Sequence, residues 1–103
     1  MNGKTIAIDY DEVISCDIEL WSMIIDFMNA HGATVYVVTY RDSTQHSDMD
    51  LKIQHVKDYI FTSGKAKRKY CKDCGVNIDI WIDDCPESIV FDYKDLLKEL
   101  EIK

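Results

Sequence analysis

A chain of 103 residues with 47% apolar content can build one hydrophobic core and has little left for a second, so a single domain over residues 1–103 is expected. Its net charge of −7 argues against broad attraction to nucleic acid or anionic membranes, and with four glycines, one proline and no stretch dominated by a few residue types neither disorder nor a repeat array fits. There is no apolar run of the roughly 18 residues that cross a bilayer, and no signal-like segment precedes the first carboxylates, so a cytoplasmic location without a membrane partner is expected.

The stretch Ile6-Ala7-Ile8-Asp9-Tyr10-Asp11-Glu12-Val13 is a short apolar run carrying β-branched residues and ending in two carboxylates one residue apart. That pattern predicts a buried strand of a parallel sheet, which delivers the acids at its C-terminal end, where open α/β sheets bind ligands. Two acids so close repel each other and are costly to desolvate, which points to a cation, most simply Mg²⁺, or a shared proton. Asp17 is placed to cap the following helix, with Glu19 in its first turn; Leu20, Ile24, Phe27 and Met28, flanked by Trp21 and Ile25, repeat at helical spacing, and His31-Gly32 ends it. This predicts a buried crossover helix.

Thr34 to Val38 is β-branched and aromatic and predicts a second strand ending at Thr39, followed by a polar loop over residues 41–47. Met49, Ile53 and Val56 then fall at helical spacing, with Ser47 as a cap, and Tyr59 to Thr62 predicts a third strand stopped by Ser63-Gly64. From Lys65 a helix runs to Gly75, with Ala66, Tyr70, Cys71 and Cys74 on its inner face and Lys65, Lys69 and Lys72 on another. Lys65, Lys67, Arg68, Lys69 and Lys72 form a basic patch on an otherwise acidic chain, for which a solvated helix face is the simpler reading than a phosphate-reading one. The four cysteines read as reduced thiols, and the Cys71/Cys74 spacing is half a zinc site lacking a second half.

Ile78-Asp79-Ile80-Trp81-Ile82 predicts the fourth strand, again ending in carboxylates, Asp83 and Asp84. Pro86 suits a first helical turn, Ile89 to Phe91 leaves a small edge strand open, and a last helix from about Tyr93, capped by Asp92, uses Leu96, Leu97 and Leu100. Strands alternating with helices imply an α/β fold, a three-layer α/β/α sandwich on a mostly parallel, Rossmann-like sheet with right-handed crossovers. In such a sheet the four strand ends lie side by side, so Asp9 with Asp11, Thr39, Lys65 just past the third strand, and Asp83 with Asp84 converge on one crevice.

The order of these groups resembles the haloacid dehalogenase (HAD) superfamily of phosphatases. Asp9-Tyr10-Asp11-Glu12-Val13 is similar to its DxDx(T/V) signature, Val38-Thr39 to its second motif, Lys65 to its third, and Ile80-Trp81-Ile82-Asp83-Asp84 to its fourth, over residues 4 to about 90. The resemblance implies a Mg²⁺-dependent phosphomonoesterase in which Asp9 is the nucleophile and Asp11 the acid-base. It implies that Thr39 and the Tyr10 and Tyr40 backbone amides hold phosphoryl oxygens, and that Lys65, with Lys67 as its rival, offsets the charge. It places Mg²⁺ on Asp9, the Asp11 carbonyl and a carboxylate of Asp83 or Asp84, with Asp84 favoured as ligand and Asp83 orienting the lysine. The spacing between motifs leaves no room for a cap domain. An open, HAD-like site of this kind implies a phosphorylated substrate such as a nucleotide, a nucleic-acid end or another large molecule, or a homo-oligomer whose neighbouring subunit closes it. The competing reading is a non-catalytic phosphate- or nucleic-acid-binding module on the same fold.

Overall fold

The computed structural model describes residues 1–102, with side chains described through residue 98. Strands β1 (Thr5–Ile8), β2 (Thr34–Thr39), β3 (Val56–Phe61) and β4 (Ile80–Ile82) form one all-parallel sheet in the order β3-β2-β1-β4. The strands are rich in β-branched residues that suit a pleated, buried surface, and their alternation separates two apolar faces. Ile6, Ile8, Val35 and Val37, all fully buried, face one side with Ile80 and Ile82; Ala7, Val38, Ile60 and Trp81 face the other. Helix α1 (Ile18–Ala30) packs on the first face through Ile18, Trp21, Ile25 and Met28, and α2 (Lys67–Asp73) on the second through Tyr70 and Cys71. Two further helices follow β4, α3 (Glu87–Val90) and α4 (Tyr93–Ile102). No helix among the described residues is long and apolar enough to cross a membrane.

Several sequence expectations are corrected in detail. The helix expected over Ser47–Val56 is absent: residues 40–55 cross between two adjacent parallel strands as ordered loop, and Val56 opens β3. Side chains there bind their own backbone in competition with a helix. Asp42 Oδ1 accepts from the Thr44 amide (3.1 Å), Gln45 Oε1 from the Asp42 amide (2.8 Å) and Asp50 Oδ1 from the Lys52 amide (2.8 Å). Met49 and Ile53 are nevertheless buried against the α1 face of the sheet, so their spacing reported burial without reporting helix.

The first strand stops at Ile8, and Asp9–Val13 turns sharply, with Glu12 left-handed at φ 63°. The fourth strand begins at Ile80; Asp79 precedes it and both donates to and accepts from Thr5, its amide to Thr5 O and its Oδ2 from the Thr5 amide, each at 2.8 Å. Ile89 and Val90 are helical, in α3. Asp92 does precede α4, but its Oδ1 accepts from the Ala66 amide at the start of α2 (2.7 Å). Leu20 and Phe27 point outward from α1, and His31 stacks on Phe27 at 4.4 Å. Cys71 is buried, but Cys74, just past the end of α2, is exposed. Leu96 is buried, Leu97 is largely exposed, and the Leu100 side chain lies outside the described residues.

Candidate active site

Strand order reverses at β1: the chain moves from β1 to β2 and β3 on one side, then returns to place β4 on the other. Loops from neighbouring strands diverge at such a point and leave a crevice at the strands' C-terminal ends. Asp9 follows β1 there, its amide donating to Ile82 O at 2.9 Å, and Asp83 and Asp84 follow β4. Oxygens of Asp9, Asp83 and Asp84 lie within 4.8 Å of one another.

Asp9 and Asp83 are buried to 10% and 3% side-chain exposure, and between them stands the equally buried ammonium of Lys67. Its Nζ lies 2.5 Å from Asp83 Oδ2 and 3.3 Å from Asp9 Oδ1. Two carboxylates and one ammonium out of water are tolerable only through mutual pairing. Asp83 is further held by the Ser88 hydroxyl on Oδ2 (3.2 Å) and the Cys85 amide on Oδ1 (2.9 Å), so both its oxygens are engaged. Asp84 is exposed. Burial pushes the Asp9 carboxyl up to about 7, opposed by Lys67 and reinforced by the nearby Asp83 and Asp84.

The lysine at the acids is thus Lys67, the first residue of α2, while Lys65 is exposed two residues earlier in the turn that follows β3. Lys65, expected to offset charge at the site, is replaced there by its rival. The shift follows from the helix starting at Lys67 with Ala66 as its cap residue: the first turn faces the crevice and the preceding turn faces solvent.

Thr39 is buried at the end of β2, its Oγ1 accepting from the Arg41 amide at 3.2 Å. Tyr40 directs its ring toward Lys67, whose Nζ is 5.5 Å from the ring centre, and its hydroxyl donates to Phe91 O at 2.5 Å. Burial, with Cys85, Asp92 and Asp83 nearby, pushes the Tyr40 phenol up to about 12. The Tyr10 side chain belongs to the core, its hydroxyl accepting from the Asp50 amide at 3.0 Å. The backbone amides of Tyr10 and Tyr40, the groups expected to bind phosphoryl oxygens, sit in the two turns that follow β1 and β2.

Asp11 is not drawn into the carboxylate cluster; it turns to Arg41, which donates from Nε to Oδ2 (3.0 Å) and from Nη2 to Oδ1 (2.6 Å). In the sequence Arg41 stands among polar loop residues and Ser88 carries no motif. The available signals were position alone: Arg41 stands two residues beyond Thr39 at a strand end, and Ser88 five beyond Asp83 at the start of a helix. Beside Arg41 opens a cavity of about 570 Å³ lined by Tyr40, Arg41, Thr44, Gln45, Ser63 and Tyr93, among others. No family model, curated protein or solved structure matches the chain.

Proposed function

We propose that the protein is a Mg²⁺-dependent phosphohydrolase of the HAD type, a capless three-layer α/β/α member that acts on a phosphomonoester through an aspartyl-phosphate on Asp9. The observation that carries this reading is the buried Asp9–Lys67–Asp83 arrangement with Asp84 exposed beside it at the topological switch point. A purely structural lysine–carboxylate pair has no need of a third acid, nor of a place at the mouth of a crevice.

The donor set fits Mg²⁺. Its ligand atoms are all oxygen, as a hard cation requires, and three carboxylates against one ammonium leave two negative charges for a dication to balance. With both Asp83 oxygens engaged, Asp84 and Asp9 are the side chains with oxygens to offer, alongside the Asp11 carbonyl. When bound, Mg²⁺ supplies electrostatic stabilisation of phosphoryl oxygens and favours the ionised Asp9.

In this mechanism an Asp9 oxygen attacks phosphorus and forms the acyl phosphate while the ester oxygen leaves with a proton from Asp11. A water then attacks phosphorus, giving its proton to Asp11, and the Asp9–phosphorus bond breaks. Lys67 offsets the charge that accumulates on the phosphoryl group, and Thr39 with the amides of Tyr10 and Tyr40 orients it. The cavity beside Arg41 is lined by none of the three acids Asp9, Asp83 and Asp84, and its size admits a nucleotide or nucleic-acid end as the substrate's leaving portion.

The deciding experiment is turnover of a panel of phosphorylated nucleotides, oligonucleotide ends, sugars and phosphopeptides with Mg²⁺ and with EDTA, followed by trapping of label on Asp9. Turnover lost in EDTA, restored by Mg²⁺ and abolished in Asp9→Asn is expected. Equal rates in EDTA, or near wild-type turnover by Asp9→Asn, overturns the mechanism. Phosphate binding without turnover instead fits a non-catalytic phosphate-binding module.

A further inference from the structure

Asp11 is 45% exposed in its side chain and sits in a turn, so a carboxylate there has rotamer freedom that accurate proton transfer does not tolerate. Its two carboxylate oxygens each accept from Arg41, Nε to Oδ2 and Nη2 to Oδ1, a planar fork on a planar acceptor that fixes both distance and plane. The guanidinium is itself held from behind. Nη1 donates to Gln45 O (2.8 Å) and to Asp48, and Nη2 reaches Asp48 Oδ2 at 3.2 Å, so the five N–H donors of Arg41 all have acceptors. Its backbone is fixed at the strand end, the amide on Thr39 Oγ1 and the carbonyl accepting from the Ser63 amide at 3.2 Å. Underneath, Arg41 Cζ stands 5.8 Å from the centre of the Tyr10 ring.

We propose that Arg41 is the positioning residue for Asp11, holding the acid-base carboxylate in its working orientation from the end of β2 while Asp48 anchors the guanidinium from the β2–β3 crossover. The proposal rests on the phosphohydrolase reading, since it gives Asp11 its task. It also assigns a purpose to the loop that replaces a helix between β2 and β3: the loop brings Asp48 back over the strand end. The fork displays Asp11 as an acceptor, the role it plays when water hydrolyses the aspartyl-phosphate. Arg41 therefore acts most strongly on that second step.

The test compares Arg41→Ala, Arg41→Lys, Asp11→Asn and the double variant Arg41→Ala/Asp11→Asn, all with Mg²⁺, on a phosphomonoester the wild type turns over. Arg41→Ala should slow turnover about 10- to 100-fold and raise the steady-state amount of trapped aspartyl-phosphate, with Arg41→Lys recovering part of the rate. The double variant should be no slower than Asp11→Asn alone to within about threefold, because residues acting as a unit are not additive. A double variant slowed by the product of the two single effects, or an Arg41→Ala that accumulates no more intermediate than wild type, overturns the proposal. Should Arg41→Ala fail to fold, Asp48→Ala serves: it removes an exposed anchor without touching Asp11, and an unchanged level of trapped intermediate overturns the proposal equally. A wild type without turnover on any phosphomonoester removes the parent reading and this one together, whereas a slow Asp11→Asn beside a normal Arg41→Ala removes this one alone.

Discussion

Lys67 reaches 2% exposure at the first turn of α2, where a helix favours acids over bases, so local preference does not place it there. The carboxylates of Asp9 and Asp83 do. Removing one partner of a buried charge group leaves the others uncompensated, so Lys67→Met should cost about 3 kcal/mol in urea unfolding of the metal-free protein, while Lys65→Met should be within about 0.5 kcal/mol of wild type. Equal effects at the two positions would mean that the ammonium of Lys67 is not what stabilises the pair.

Asp9 makes a second, signed prediction. Its carboxyl titrates near 7 in the fold, chiefly through desolvation, against an ordinary value of 3.8. Between those values the folded state holds a proton that the unfolded state has released, so this group's contribution falls as pH rises from about 4 to 7 and is level above. Metal-free Asp9→Asn, which cannot ionise, should be more stable than wild type at pH 7.5 and should lose that advantage on acidification to pH 4.5. An advantage that instead grew on acidification would reverse the sign and remove burial as the cause. The two lysines also show what sequence could tell at this scale: the need for a cation past the third strand was legible, but choosing between residues two apart required knowing where the helix begins.

At the scale of elements, the β2–β3 crossover holds its place through buried side chains. Met49 and Ile53 fill the α1 face of the sheet, and Tyr10 and Tyr59 tie the backbone of Asp50 from either side, one accepting at 3.0 Å and the other donating at 3.2 Å. Ile53→Ala should therefore cost about 2–4 kcal/mol by denaturant unfolding, as for a core residue; a change below 0.5 kcal/mol would show that the segment is draped over the core and does not contribute to it. Helical spacing at Met49 and Ile53 misled because two buried residues four apart fit a helix or a folded loop equally. The competing signal was the density of Asp, Ser, Thr and Gln, whose side chains bind nearby amides. In α1 the period was right and the face was not: Ile18, Trp21, Ile25 and Met28 make the inward stripe, and an apolar count of Leu20 and Phe27 could not separate it from the neighbouring outward one.

Across the whole molecule, the convergence of Asp9, Asp83 and Asp84 was legible because it needs only parallel strands read to their C-terminal ends. Neither the grip of Arg41 on Asp11 nor the part of Ser88 could be read, since each depends on how turns fold after the strands finish. The sheet's outer strands meet a different demand. β4 offers only three residues to a would-be neighbour, and β3 is interrupted where Lys57 interposes between Val56, opposite Val35, and Asp58, opposite Tyr36. Lys57 and the adjacent Asp58 are exposed on that irregular edge. A second chain adding itself to either side would find too few backbone groups at one and a bulge with two charges to bury at the other, so the fold carries its own protection against edge-to-edge polymerisation.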